Sequence, residues 1–110
     1  MTRFTFLLQA ALRVQRGSVV ELDLLCQRRI NSEPFGSPVV YKLRPVMTGI
    51  EQNGARDLQT DWVLFDTDGR TELKRWPAGE RPMSQISLFA YDAARECELQ
   101  IQRKANEVVS

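Results

Sequence analysis

From Phe4 to Val14 the chain places a nonpolar side chain at every second position: Phe4, Phe6, Leu8, Ala10, Leu12 and Val14. A repeat of two is the signature of a strand with one buried face, whereas a helix repeats every 3.6 residues. A helical reading through Leu7, Leu8, Ala11 and Leu12 competes over the same stretch. Beyond Gly17 the alternation resumes as Val20, Leu22, Leu24 and Cys26, with Glu21, Asp23 and Gln27 on the other side. Such a pair of runs predicts a hairpin. Matching the apolar faces sets Val14 opposite Val20 and Leu12 opposite Leu22, with Arg13 facing Glu21 as a cross-strand charge pair. That register requires a three-residue or bulged turn.

A third strand is expected from Val39 to Met47, with Val39, Tyr41 and Leu43 inward. Face matching pairs Leu24 with Leu43 and Cys26 with Tyr41, and puts Asp23 opposite Arg44. The intervening "RRINSEPFGSP", residues 28–38, reads as a turn: Arg28 and Arg29 end the second strand, and Pro34, Gly36 and Pro38 suit a loop. An anion or partner site is the alternative, with Phe35 at its tip. Residues 49–61 are polar, carry the turn signal Asn53-Gly54, and read as a flexible connection. The next segment, "DWVLFDTDGRTELKRW", predicts a second hairpin closed by Asp68-Gly69 in a type I′ turn, pairing Leu64 with Leu73 and Trp62 with Arg75 in a cation–π contact. Val63, Phe65 and Trp76 then share the other face, which something must cover.

After "PAGERP" the residues Ile86, Phe89, Ala90, Ala93, Ala94, Cys97 and Ile101 recur at helical spacing, following Ser84 or Ser87 as candidate N-caps. Arg95, Glu96, Glu98, Gln102 and Arg103 fall on the outer side. A terminal strand through Cys97, Leu99 and Ile101 is the rival, and "NEVVS" is expected to fray. The expected fold is a single α+β domain over residues 1–110: an antiparallel meander plus a hairpin forming a curved sheet or small open barrel, with one C-terminal helix packed on a face.

The absence of histidine removes Ser-His-Asp and Cys-His chemistry and the commonest zinc ligand. Cys26 and Cys97 are too far apart in sequence for a CxxC motif and read as small buried residues of a reducing compartment. Asp66-Thr67-Asp68-Gly69 resembles the start of a calcium loop, but the twelfth position is Pro77 rather than glutamate. Asp57, Asp61, Asp66, Asp68 and Glu72 could supply an acid–base pair, though nothing marks any of them as desolvated. The glycines are isolated, without a phosphate-loop pattern. No cofactor and no metal are therefore expected. Thr5, Gln9 and Arg13 interrupt the apolar start, and no run is long enough to span a bilayer, so a cytoplasmic protein without membrane contact is expected.

Binding is thus a better expectation than catalysis. A two-sided apolar hairpin and an open sheet edge favour a protein partner or self-association, with Val63, Phe65 and Trp76 as candidate contacts. The alternative is a single-stranded nucleic acid, for which Arg28, Arg29, Phe35, Lys42 and Arg75 are the candidates. Against it stands a net charge of only +1. A small molecule between sheet and helix is a third option.

Overall fold

The computed structural model describes residues 3–52, 54–77 and 81–109. Its strands are β1 (Phe4–Leu8), β2 (Leu12–Arg16), β3 (Val19–Ile30), β4 (Glu33–Pro34), β5 (Val39–Gln52), β6 (Ala55–Phe65) and β7 (Glu72–Pro77), followed by helix α1 (Met83–Val109). They form a curled, 7-stranded antiparallel sheet in the order β1-β3-β5-β6-β7, with β2 and β4 also paired to β3. The helix lies across the concave face. This is the α+β curved sheet expected from the sequence, and the helix excludes the terminal-strand reading of Cys97–Ile101.

The first alternating run is not one strand. β1 pairs as expected, with Leu8 opposite Cys26 and Phe6 opposite Arg28, but β2 is displaced by one residue, so that Arg13 faces Leu22 and Val14 faces Glu21. The cause is the turn. Gly17 takes a φ of 65° and, with Ser18, makes a two-residue loop rather than the bulged one expected. Because side chains alternate strictly, a one-residue displacement turns the apolar set of β2 outward, and Leu12 is 54% exposed. Residues 9–11 absorb the mismatch between β1 and β2. Arg16, rather than Arg13, meets Glu21, at 2.5 Å.

β3 and β5 keep the expected faces but slide by two residues. Leu24 lies opposite Tyr41 and Leu22 opposite Leu43, Asp23 faces Lys42, and Arg44 reaches Glu21 at 3.6 Å. Between them Asn31 and Ser32 both adopt positive φ, the backbone of a type I′ turn, and return the chain so that Arg29 faces Pro34. The expected connection is therefore present, with Arg28 and Arg29 at the end of β3, but its tight turn is at Asn31-Ser32 and is followed by the short strand β4.

Residues 49–61 are not a loose connection. β5 and β6 pair continuously from Lys42–Phe65 to Gln52–Ala55, and Gly54 at φ 77° fits the tight closure; Asn53 lies outside the described residues. β3 pairs with β5 only as far as Leu43, and β7 with β6 only from Asp61 onward. The remainder is a two-stranded arm of ~20 Å, consistent with overall extents of 62 × 26 × 22 Å.

At the second hairpin only Gly69, not Asp68, has positive φ, so the turn is not type I′. Gly69 N–H donates to the Asp66 carbonyl at 2.9 Å, and Asp66 N–H donates to the Thr71 carbonyl at 2.8 Å, closing a longer loop. The consequence is a bulge at Leu64/Phe65 and a new register in which Trp62 faces Trp76 and Val63 faces Arg75. Trp76 thereby moves to the concave face, away from Val63 and Phe65. The expected Trp62–Arg75 stacking is replaced by Arg75–Asp61 and Arg75–Glu72 ion pairs at 2.9 and 2.7 Å.

The core lies between this concave face and α1: Leu8, Leu22, Leu24, Cys26, Tyr41, Leu43 and Leu64 meet Ile86, Ala90 and Ala94. Small alanines one turn apart let the helix backbone approach the sheet closely. Neither Ser84 nor Ser87 caps α1; the Pro82 carbonyl accepts from Gln85 and Ile86 N–H instead. The helix also guards the edge strand. The Asn106 side chain accepts from Phe4 N–H at 2.9 Å and donates to the Phe4 carbonyl, while Tyr91 Oη donates to the Leu8 carbonyl. "NEVVS" is accordingly helical through Val109, and its first residue is anchored.

Candidate functional site

The row Ile86, Ala90, Ala94 continues one helical turn further to Glu98, which is only 2% exposed although its sequence neighbours suggested the outer side. A carboxylate so placed must be paired and hydrogen-bonded. Arg28, pointing inward from β3, donates from Nη2 to Glu98 Oε1 at 2.7 Å and from Nε to both oxygens at 3.2 Å; Tyr41 Oη donates to Oε1 at 2.7 Å. Arg28 is thus committed to the helix interface, and its guanidinium is held charged chiefly by its hydrogen bonds to Glu98. Burial, reinforced by Glu98, pushes the Tyr41 phenol upward and the Cys26 thiol up to about 12. Burial also raises Cys97. Reaching from α1 to β3 and β5, the hydrogen-bonded cluster of Glu98, Arg28 and Tyr41 forms a clasp between helix and sheet. Beside it a groove of about 490 Å³ runs between Tyr41, Asp66, Cys97, Ile101 and Lys104.

At the opposite end of the concave face the helix stops before the sheet does. Beyond Met83 an apolar groove of about 400 Å³ remains, lined by Val19, Val20, Pro45, Met47, Trp62 and Met83. Met47 is 67% exposed, and the Trp62–Trp76 pair forms the wall toward β7. Of the residues singled out as protein contacts, only Trp76 belongs to this face. Val63 is on the convex side and 0% exposed, between Arg44 and Arg75 on the neighbouring strands, and Phe65 lies under the Arg44 guanidinium at 5.5 Å. Long arginine stems thus cover the second face of the hairpin.

The residues considered for nucleic acid are not brought together. Arg28 faces the core, Arg75 is ion-paired with Asp61 and Glu72, and Phe35 packs edge-on against Phe4 with centroids 6.3 Å apart. Arg29 and Lys42 remain on the convex face. Among the described residues no helix is long and apolar enough to cross a membrane. No known protein family, curated protein or solved structure matches the chain.

Proposed function

We propose that the protein is a non-enzymatic interaction module that self-associates through the apolar groove at the base of the β5–β6 arm. The observation that carries this reading is the uncovered continuation of the core past Met83, where Met47, Val19 and Trp62 line one concavity. Contiguous exposed apolar surface of this kind is removed from water by a partner. A second copy is the occupant favoured by charge. At a net +1 two copies barely repel one another, and closed two-fold pairs are the commonest assemblies. The sheet edges are poorer candidates: β7 carries Lys74 and Arg75 and ends at Pro77, which has no N–H to offer, while α1 guards β1.

Light scattering on the purified chain tests this. The expected result is a two-chain mass that falls to a one-chain mass in Met47→Glu, with the fold retained by circular dichroism because the side chain is exposed in the single chain. A one-chain mass for the unaltered protein at its highest soluble concentration would overturn the reading. So would a two-chain mass that survives Met47→Glu.

A further inference from the structure

On the convex face, Lys42 and Arg44 of β5 and Arg70 of the β6–β7 loop line one cleft of about 530 Å³, walled by Pro38 and Val40. Among the described residues neither Lys42 nor Arg70 is in an ion pair, and the terminal nitrogens of all three side chains make no hydrogen bond within the protein. Arg44 is held by its stem. Its guanidinium lies over Phe65, its Nε is buried without a hydrogen-bond acceptor, and Glu21 approaches that nitrogen only to 3.6 Å.

The nearby carboxylates are mostly engaged by other groups. Asp68, the one acid in the lining, turns back into its own loop, accepting from Arg70 N–H, Thr71 N–H and Thr71 Oγ1. Asp23, opposite Lys42, and Glu21 are bridged by Arg16 through Asp23 Oδ2 and Glu21 Oε2, while Asp23 Oδ1 is buried without a hydrogen-bond partner. Cationic head groups gathered in one cleft with their terminal donors unused repel each other, and an anion placed among them relieves that repulsion while taking up those donors.

The geometry points to this cleft as a binding site for a small phosphate ester, independent of the groove at the base of the arm. The phosphoryl oxygens accept from Lys42, Arg44 and Arg70. Arginine offers a planar fork matched to two phosphoryl oxygens, and lysine a compact charge. Pro38 and Val40 supply an apolar wall for the organic part of the ligand, and the cleft's volume exceeds what inorganic phosphate alone would fill.

Isothermal titration with adenosine monophosphate at low and near-physiological salt, with inorganic phosphate as competitor, tests the assignment. Binding is expected to weaken with salt and to be competed by phosphate. Arg70→Glu and Lys42→Gln should each lower affinity about tenfold or more, and circular dichroism should report unchanged folding. Arg95→Glu, which removes an exposed helix charge outside the cleft, is the charge control and should leave binding intact. The proposal fails if millimolar nucleotide does not bind, or if Arg95→Glu weakens binding as much as Arg70→Glu does. It also fails if a single-stranded oligonucleotide binds far more tightly than the nucleotide with a salt dependence spanning several phosphates, since the convex face would then be tracking a polymer.

Discussion

Glu98 on the concave face and Asp61 on the convex face are the polar residues that the described fold buries, and each meets an arginine. Their surroundings differ. Glu98 sits on the floor of the core, where Arg28 reaches both of its oxygens and Tyr41 one of them, and Cys26 and Tyr41 are wholly buried. Asp61 lies at the base of an outward-facing ladder, and its partner Arg75 is 41% exposed and shared with Glu72. A buried ion pair contributes little over an apolar replacement, yet losing one partner strands the other without water; an exposed pair carries neither consequence in full. The same two residue types therefore make a clasp on one face and a solvated lattice on the other.

The largest effect should come from stranding Arg28. Glu98→Ala is expected to cost about 3 kcal/mol in urea unfolding, at the low end for a buried pair because Arg28 keeps some contact with solvent. The combined variant Glu98→Leu with Arg28→Met should be more stable than Glu98→Ala. A loss below about 1 kcal/mol for Glu98→Ala would mean that the cluster is as solvated as the convex ladder, and the contrast between the faces would disappear.

Val63 sharpens the contrast from the other side, because it is an apolar core residue on the charged face. Its cover consists of side-chain stems and not of another layer of secondary structure. Val63→Ala should cost about 2 kcal/mol, the transfer of two methyl groups plus a small cavity. Its solution mass should equal that of the unaltered protein, since the residue is sealed beneath Arg44 and Arg75. A negligible loss would show that water already reaches it between the arginines.

What the sequence reveals follows the same division. Period-two alternation identified β1, β3, β5 and the inward side of each, because burial acts on every second residue alike. It could not locate the register, which depends on turns a few residues long. Gly17-Ser18 moved β2 by one residue, and the loop from Asp66 to Thr71 moved Trp76 to the opposite face from Val63. Residues 49–61 read as a loop because the sequence there is polar, carries Asn53-Gly54 and lacks the period-two alternation that marks the other strands. Glu98 escaped detection for a related reason: its charge argues for the outer face, and only its i+4 spacing from Ala94, Ala90 and Ile86 places it inside. Arg28 and Tyr41, its partners, lie on strands distant in sequence, so nothing local signals the pairing. The basic cleft is likewise assembled by register, since Arg70 reaches Lys42 and Arg44 only across the sheet.

The smallest effect concerns Asp68, an exposed carboxylate whose low value comes chiefly from hydrogen bonds within its own loop. Hydrogen bonds hold it low, at about 2 against the ordinary 3.8, led by Thr71 Oγ1 and followed by the Thr71 and Arg70 N–H groups, with smaller contributions from a slight burial, which raises it, and the Arg70 charge, which lowers it. Because the folded value lies below the ordinary one, the ionised form is favoured by folding. The contribution to stability is complete above about pH 4 and disappears as the pH falls towards 2. Thr71→Val removes the leading donor and leaves the backbone donors in place. The Asp68 titration, followed by carboxyl carbon NMR, should then move up towards the ordinary value, and the acid limb of the stability curve should shift to higher pH with it. An unchanged midpoint would assign the low value to the loop backbone, making Thr71 a spectator in the turn that displaces β7 by one residue and brings Trp76 to the concave face.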